Sequence, residues 1–159
     1  MGDRQVDPET AKQLRQKKEL LITRLALVGL QRQDTAADGN CQYIALVRAL
    51  GWPDDAQSSL RQEVAAFLAQ NGEEFDGFHC DGDWSTYLAG VRGSAWGDHL
   101  TLAAVARMFK CVIEIVSDAD SEEYTKVVVP PKITSPTITI AHYGEKHYES
   151  CVALEDSGV

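Results

Sequence analysis

The chain has 159 residues, of which 44% are hydrophobic and 25% charged, values that exclude a disordered or fibrous protein. The net charge of −9 argues against partners such as nucleic acids and anionic membranes, because both attract basic surfaces. No apolar run approaches the roughly 20 residues of a bilayer span, and the polar N-terminus shows no secretory signal. We therefore expect an intracellular protein of the cytoplasm or nucleus that is monomeric and needs no cofactor.

The N-terminal part of the chain predicts one long helix followed by a polar loop. Asp7 before Pro8 is typical of a helix start, since Asp caps the first turn and Pro suits its first position. Apolar residues then recur at helical spacing before Gly29: Leu14, Leu21, Leu25 and Val28. A polar loop is expected over residues 31–40.

Two helices are predicted next. The first begins at Cys41 and ends at Gly51, and it is apolar on nearly every side, which indicates a buried position. The second begins at Ser59 and ends before Gly72, with its apolar residues on one face.

The segment over residues 73–95 is polar and glycine-rich, and we interpret it mainly as loop, with one short helix after Asp83. Asp98 then caps a further helix over residues 100–109.

The last third of the chain changes to strand-like runs separated by turn residues. These runs cover residues 111–116, 125–129, 137–141 and 147–154. Gly144, in the short link between the last two, predicts a hairpin. Helices first and strands later indicate an α+β fold with a sheet packed against a helical layer.

Cys41 is the first candidate for chemistry. It follows Asp38, Gly39 and Asn40 at a predicted helix N-terminus, where unpaired amides and the helix dipole favour a thiolate. The same amides, turned inward by Gly39, are suited to an oxyanion. A cysteine at a helix start is more often structural, so this motif alone decides nothing.

His147 and Glu149 are the second candidate. Residues i and i+2 of a strand share a face, so Glu149 is expected beside the His147 imidazole, where it can orient the ring. Such a pair is usually just a solvated strand face. An early cysteine on a helix followed by a late histidine on a strand, however, is the order of papain-like proteases.

The motifs around these residues resemble the ovarian tumour (OTU) family of deubiquitinating cysteine proteases. The matching blocks are Asp38-Gly39-Asn40-Cys41 with Tyr43, Ala45 and Leu46, then Trp96-Gly97-Asp98-His99-Leu100-Thr101-Leu102, then Ile138-Thr139-Ile140 and His147-Tyr148-Glu149-Ser150-Cys151-Val152. The resemblance implies an OTU-like fold with a central, mainly antiparallel sheet. It implies a single catalytic domain over residues 1–159, with an N-terminal helix over 7–30, as in the plant and fungal group, and a core over 33–154.

The resemblance also implies roles for residues. Cys41 is the expected nucleophile and His147 the general base. Glu149 stands where the family usually has Asn or Asp, so its longer side chain makes the orienting role less direct. The backbone amides of Asp38 and Cys41 are the expected oxyanion hole, while the Asp38 carboxylate holds either the loop or the histidine.

The implied partner is ubiquitin, polyubiquitin or a ubiquitin-like modifier, whose tail would be cleaved at its terminal glycine. Candidate substrate-binding residues are the acidic Glu73, Glu74 and Asp76 together with Trp96, His99 and Tyr148. The acidic run suits the arginines of the ubiquitin tail, or else it is simply a solvated loop.

Other interpretations remain open at this stage. One is a catalytically silent ubiquitin-binding module of the same fold, and another is a cysteine hydrolase acting on a small amide. Zinc ligation by His142, His147 and Cys151 is disfavoured because no paired metal motif is present, so no metal is expected.

Overall fold

The computed structural model describes residues 7–75, 83–120, 123–128, 136–144 and 147–154. Helices in these ranges are α1 (Pro8–Leu27), α2 (Cys41–Ala49), α3 (Gln57–Gln70), α4 (Gly72–Phe75), α5 (Trp84–Arg92) and α6 (His99–Phe109). Strands are β1 (Leu30–Gln33), β2 (Val112–Ser117), β3 (Thr125–Val128), β4 (Thr137–Tyr143) and β5 (His147–Ala153).

The strands form one sheet in the order β1-β5-β4-β2-β3. β2 and β4 are parallel, and the other three neighbouring pairs are antiparallel. The last two strands form the predicted hairpin, in which Tyr143 pairs with His147 and Gly144 has a φ of +65° that favours glycine. The predicted α+β fold with a mainly antiparallel sheet is confirmed.

Helices cover both faces of the sheet. On one face, Leu21 and Leu25 of α1 pack against Val116 and Ala141. On the other, α2, α3 and α6 form the main core with the neighbouring strand residues, including Tyr43, Leu46, Leu60, Leu102, Ile113 and Ile140. Alternation along the strands explains the division, because successive side chains point to opposite faces.

The start of α1 agrees with the prediction, since the Asp7 carboxylate accepts a hydrogen bond from the Glu9 amide at 3.2 Å. Of the four apolar residues at helical spacing, Leu21 and Leu25 are buried, whereas Leu14 and Val28 are 48% and 56% exposed. The packed residues of α1 lie in its C-terminal half, because only this half reaches the sheet.

The expected loop over residues 31–40 is also wrong in its first three residues. Residues 31–33 belong to β1, where Gln31 pairs with Val152 and Gln33 with Ser150. The strand forms at the free edge of β5 rather than from its own composition, which is polar and lacks β-branched residues.

The middle of the chain is more helical than expected. α3 begins at Gln57, two residues before Ser59, because a 3-10 turn at Asp54–Ala56 leads directly into it. The short helix predicted after Asp83 is confirmed as the nine-residue α5, in which Asp83 accepts from the Thr86 amide at 2.7 Å. α4 was not predicted and lies at the start of the segment expected to be mainly loop. α6 begins one residue earlier than predicted, with Asp98 as its cap.

Candidate active site

Cys41 is the first residue of α2, and it is 1% exposed. Its Sγ accepts a hydrogen bond from the Tyr148 amide of β5 at 3.3 Å, so the thiol lies against the peptide that follows His147. Burial raises the pKa of the Cys41 thiol, and the amides of Tyr148 and Gln42, which lower it, do not compensate. The expectation that the helix start favours a thiolate is therefore not met in this structure, because burial outweighs the helix terminus.

The loop before Cys41 is held by its own hydrogen bonds. The Asp38 carboxylate accepts from the Asn40 amide at 2.9 Å, so it supports the loop. The Asp38 amide donates to the Ala36 carbonyl at 2.9 Å, and the Cys41 amide donates to the Asp38 carbonyl at 3.2 Å. The two expected oxyanion donors thus both have partners within the loop, and an oxyanion hole here requires both to be released.

Gly39 brings the loop into close contact with the segment before α6. A Cβ on Gly39 would lie 2.5 Å from the Ser94 carbonyl oxygen and 3.9 Å from Trp96 Cδ1, so only glycine fits. Trp96 is 43% exposed at this place. This predicted substrate-binding residue therefore lies on the rim beside the nucleophile loop.

Arg61 of α3 supports the same loop from its buried side. Its guanidinium donates to the Gly39 carbonyl at 2.8 Å, to Asn40 Oδ1 at 2.8 and 3.2 Å, and to the Val91 carbonyl at 3.0 Å. It also lies over the Tyr43 ring, 4.1 Å from the centroid. Arg61 is only 2% exposed, so a buried cation with neutral acceptors holds the loop.

A polar network joins α2 to the start of α6. Gln42, which is 1% exposed, accepts from the Thr101 hydroxyl at 2.5 Å and donates to the Asp98 carbonyl at 3.2 Å. The Tyr87 hydroxyl donates to the Asp98 carboxylate at 2.8 and 2.9 Å. These bonds fix the start of α6 against Gln42, the residue after Cys41.

His147 and Glu149 lie side by side, as the strand periodicity predicts. His147 Nε2 lies 3.2 Å from Glu149 Oε2, and the Glu149 side chain is 1% exposed. His147 Nδ1 is buried and has no hydrogen-bond partner in the described part of the chain. One nitrogen of the imidazole is thus oriented by a carboxylate, and the other is unpaired.

Glu149 has a second partner that the sequence did not indicate. Arg32 of β1 donates Nε to Oε1 at 2.6 Å and Nη2 to Oε2 at 2.8 Å, a bidentate ion pair. The Thr35 amide donates to Oε2 at 3.2 Å. The carboxylate is therefore held by an arginine fork, a backbone amide and the imidazole.

Two of the remaining predicted binding residues, Tyr148 and His99, lie in different places. The Tyr148 ring stacks on His142 at a centroid distance of 4.3 Å, next to the thiol contact made by its own amide. His99 is exposed at the first residue of α6. Asp76 lies outside the described residues.

Glu73 and Glu74 are exposed on α4, and Glu74 pairs with Arg107 near the C-terminal end of α6. The start of α6 contacts the nucleophile helix, and eight residues of rise separate His99 from Arg107, about 12 Å along the axis. The structure therefore places Glu74 away from the thiol, with a cation of this chain as its partner.

Sequence reasoning missed Arg32, Gln42 and Arg61. A signal existed for Arg61, because Arg61, Val64, Ala65 and Leu68 follow the spacing of one buried helix face. Arg32 gave no such signal, since the strand that carries it is polar and was interpreted as loop.

Within the described ranges, no group of three His, Cys, Asp or Glu side chains is arranged to hold a metal ion. None of the helices in that part of the chain combines the length and apolarity of a membrane span. The cysteines of the described ranges, Cys41, Cys111 and Cys151, are in no disulfide there.

A thiol at a helix N-terminus, next to a strand that carries a histidine–carboxylate pair, is the arrangement of a papain-like cysteine protease. A family model described as OTU-like cysteine protease matches residues 36–150. The chain belongs to this family.

Among curated proteins, the chain is similar to the ovarian tumor domain-containing deubiquitinating enzymes 9 and 11 of Arabidopsis thaliana. It is 29% identical to each, over 83% and 85% of its own length and 38% and 55% of theirs. The chain thus spans only about two fifths to about half the length of these relatives.

Solved structures share the fold. The OTUD1 OTU domain aligns with 89% of this chain and 98% of its own at a TM-score of 0.78 and 19% identity. An OTU deubiquitinase from Wolbachia pipientis wMel, solved bound to ubiquitin, aligns with 79% of this chain and 97% of its own at a TM-score of 0.63 and 14% identity.

Proposed function

We propose that this protein is a thiol-dependent deubiquitinase that hydrolyses peptide or isopeptide bonds at the C-terminus of ubiquitin or a ubiquitin-like modifier. One observation carries the proposal: His147 offers an unpaired, buried Nδ1 while its Nε2 lies against Glu149, and the next amide along contacts the Cys41 thiol. The names of the Arabidopsis relatives and the ubiquitin complex of the Wolbachia enzyme support the choice of substrate.

In the proposed reaction, His147 Nδ1 takes the proton from Cys41 as Sγ attacks the carbonyl carbon of the terminal glycine. A base is needed because burial keeps the pKa of this thiol raised. The tetrahedral intermediate collapses to a thioester as the imidazolium gives its proton to the leaving lysine amine. Water, activated by the same imidazole, then releases the modifier and restores the thiol.

The proposed oxyanion donors are the amides of Asp38 and Cys41. Both donate within the loop in the unbound protein, so substrate must shift the loop before they can stabilise the intermediate. The loop is exposed at Asp38 but held by Arg61 at Gly39 and Asn40. We expect the movement to be confined to the peptides between residues 36 and 41.

The test is a suicide probe in which the last residue of ubiquitin carries an electrophile. We expect one covalent adduct, located on Cys41 by mass spectrometry, and cleavage of diubiquitin by the same preparation. Cys41→Ala should abolish both while retaining ubiquitin binding, and Cys111→Ala, a second buried thiol, is the matched control. An adduct on another cysteine, or full turnover by Cys41→Ala, would refute the assignment.

One observation favours a second candidate, a ubiquitin-binding module without activity. The buried Cys41 thiol has a raised pKa, and the amides of Asp38 and Cys41 donate to carbonyls of their own loop. A protein that only binds ubiquitin could keep this inactive arrangement throughout. Such a module would bind ubiquitin in a titration, and neither the probe nor diubiquitin would react. The same two assays therefore separate the two functions.

A further inference from the structure

We propose that Arg32 is the positioning residue of the acid in this site: it orients Glu149 for His147 and offsets the charge of the carboxylate. The inference rests on the proposed function, because it concerns the same catalytic unit. Arg32 acts through Glu149 and has no direct part in the chemistry.

Glu149 is buried and therefore needs a partner for its charge. A carboxylate that is 1% exposed costs several kcal/mol to desolvate unless charged or polar partners surround it. The imidazole of His147 offers one hydrogen bond at 3.2 Å and carries a positive charge only when it is protonated. A permanent cation is therefore required, and Arg32 is the group that pairs with both oxygens.

The orientation of the Glu149 carboxylate also depends on Arg32. Glu has one more rotatable bond than Asp, so a glutamate beside a histidine is oriented only if something else fixes it. The fork of Arg32 fixes the carboxylate plane with two bonds, and the Thr35 amide adds a third. Oε1 accepts from Arg32 Nε, and Oε2 accepts from Arg32 Nη2 and the Thr35 amide and faces His147 Nε2. Arg32 of β1 and the Thr35 amide just after this strand therefore fix the orientation of the carboxylate toward the imidazole.

The position of Arg32 in the sheet brings its side chain to Glu149. Arg32 pairs in register with Cys151, so Glu149 is its diagonal neighbour across the β1–β5 ladder and the two side chains share a face. Asp34 also accepts from Arg32 Nη2, at 2.7 Å, but its side chain is 89% exposed. The buried carboxylate is therefore the main partner, and the exposed one steadies the guanidinium.

The charge balance follows. Arg32 and Glu149 together are neutral, so the imidazole feels less negative charge than a lone carboxylate would supply. Other titratable groups facing the pair come from every neighbouring element: Asp34 after β1, Cys41 and Arg48 from α2, Tyr143 from β4, and Cys151 from β5. Arg48 is the one cation in this set and pairs with Asp54, whereas Arg32 contacts Glu149 directly.

The decisive experiment titrates the His147 imidazole by NMR in the inactive Cys41→Ala protein, with and without Arg32→Ala. Removing the cation should raise the apparent pKa of the His147–Glu149 pair by about one unit, because the pair then holds its proton more strongly. Arg32→Lys keeps the charge and should leave the midpoint unchanged. Arg24→Ala is the matched control, since Arg24 also makes two side-chain hydrogen bonds, but to the backbone carbonyls of Ser117 and Ala119 rather than to Glu149.

The kinetic arm uses the protein with Cys41 intact and a ubiquitin substrate with a fluorescent leaving group. We expect Arg32→Ala to lower kcat by about tenfold with little change in KM, as for a lost charged hydrogen bond of about 1.4 kcal/mol. Arg32→Lys should recover part of the loss, since it restores charge without the fork. In a Glu149→Ala background, Arg32→Ala should have no further effect on kcat.

The outcomes are decisive in each direction. An unchanged titration midpoint in Arg32→Ala, or an equal loss of kcat in the Glu149→Ala background, overturns the proposal and leaves Arg32 a structural residue. If Arg32→Ala does not fold, Arg32→Lys decides: a full wild-type kcat shows that the fork is not needed. If the wild type does not cleave ubiquitin, the proposed function fails, and the imidazole titration still tests Arg32.

Discussion

Two arginines support the two halves of the site in different ways: Arg61 holds the loop before Cys41, and Arg32 holds the carboxylate beside His147. Arg61 is 2% exposed; it donates hydrogen bonds to the neutral oxygens of Gly39, Asn40 and Val91 and lies over the face of the Tyr43 ring. Arg32 lies nearer the surface and pairs with two carboxylates, Asp34 and Glu149.

The difference follows from what each half must do. The half that contains Cys41 needs the backbone at Gly39 and Asn40 held beside the thiol, and a buried guanidinium with several donors can bridge these groups to α5. The acid half needs a carboxylate of fixed orientation and balanced charge, which a charged fork supplies. Loss of Arg61 should therefore damage the fold, and loss of Arg32 should mainly damage the chemistry.

The largest expected effect is a loss of kcat/KM on changing the His147–Glu149 pair. Comparing the two residues distinguishes the general base from the carboxylate that orients it. His147→Ala should lower kcat/KM by about 10²–10⁴-fold, the usual contribution of a general base. Glu149→Ala should cost roughly 10- to 100-fold, because a hydrogen bond to a charged group contributes about 1.5–3 kcal/mol. Glu149→Gln, which keeps the shape without the charge, is the control. Steady-state rates on a ubiquitin substrate measure all three, and equal losses for His147→Ala and Glu149→Ala would contradict the ranking.

The next effect is on the nucleophile half. Arg61→Met should lower the free energy of unfolding by about 3 kcal/mol, because the change leaves buried oxygens of Gly39 and Asn40 without donors. Urea denaturation measures this loss. Arg107→Met is the comparison, since the exposed ion pair of Arg107 with Glu74 is worth less than about 1 kcal/mol. A cost for Arg61→Met as small as that of Arg107→Met would show that the loop does not depend on Arg61.

A third prediction concerns the resting state of the thiol. Because burial raises the pKa of Cys41, the thiol is protonated at neutral pH, and its reaction with iodoacetamide should accelerate as pH rises beyond the ordinary range of a cysteine. Peptide mass spectrometry across a pH series measures the modified fraction, with the buried Cys111 as internal reference. A rate at pH 6 equal to that at pH 9 would instead indicate a thiolate already formed.

The raised pKa also has a consequence for stability. A thiol whose folded pKa exceeds the unfolded value contributes stability below the unfolded pKa, and this stability is lost as pH rises through the folded pKa. The same direction holds for Cys111 and for Cys151, whose pKa burial raises to about 12. Melting temperatures should therefore fall on the alkaline side, and less so in Cys41→Ala.

The smallest expected effect is on association with the modifier. If Glu73 and Glu74 attract a basic partner, Glu73→Lys with Glu74→Lys should slow association a few-fold at low salt and weaken the salt dependence. Glu9→Lys with Glu19→Lys changes the net charge equally on the exposed part of α1 and is the control. Equal salt dependence in both double variants would indicate that α4 takes no part, as its pairing with Arg107 already suggests for Glu74.

Much of the site was predictable because its signals are local. Asp98 caps α6 through a capping box with Thr101, and Cys41 begins α2, both within a few residues of the sequence motif. The pairing of His147 with Glu149 follows from strand periodicity alone. The motif around Cys41 predicted a lowered thiol pKa, whereas burial raises it. Burial of this thiol depends on how α2 packs against β5, which no local motif encodes.

What the amino-acid sequence alone determined is therefore the set of elements with strong caps, turns and periodicity, and the identities of the nucleophile, base and acid as candidates. Only the tertiary structure decided that residues 30–33 form a strand, that Arg32 reaches Glu149 across 117 positions of sequence, and that Arg61 lies under the nucleophile loop. The physical reason is that a polar edge strand and a buried arginine are stabilised by partners distant in the chain. No local preference of their own residues encodes those partners.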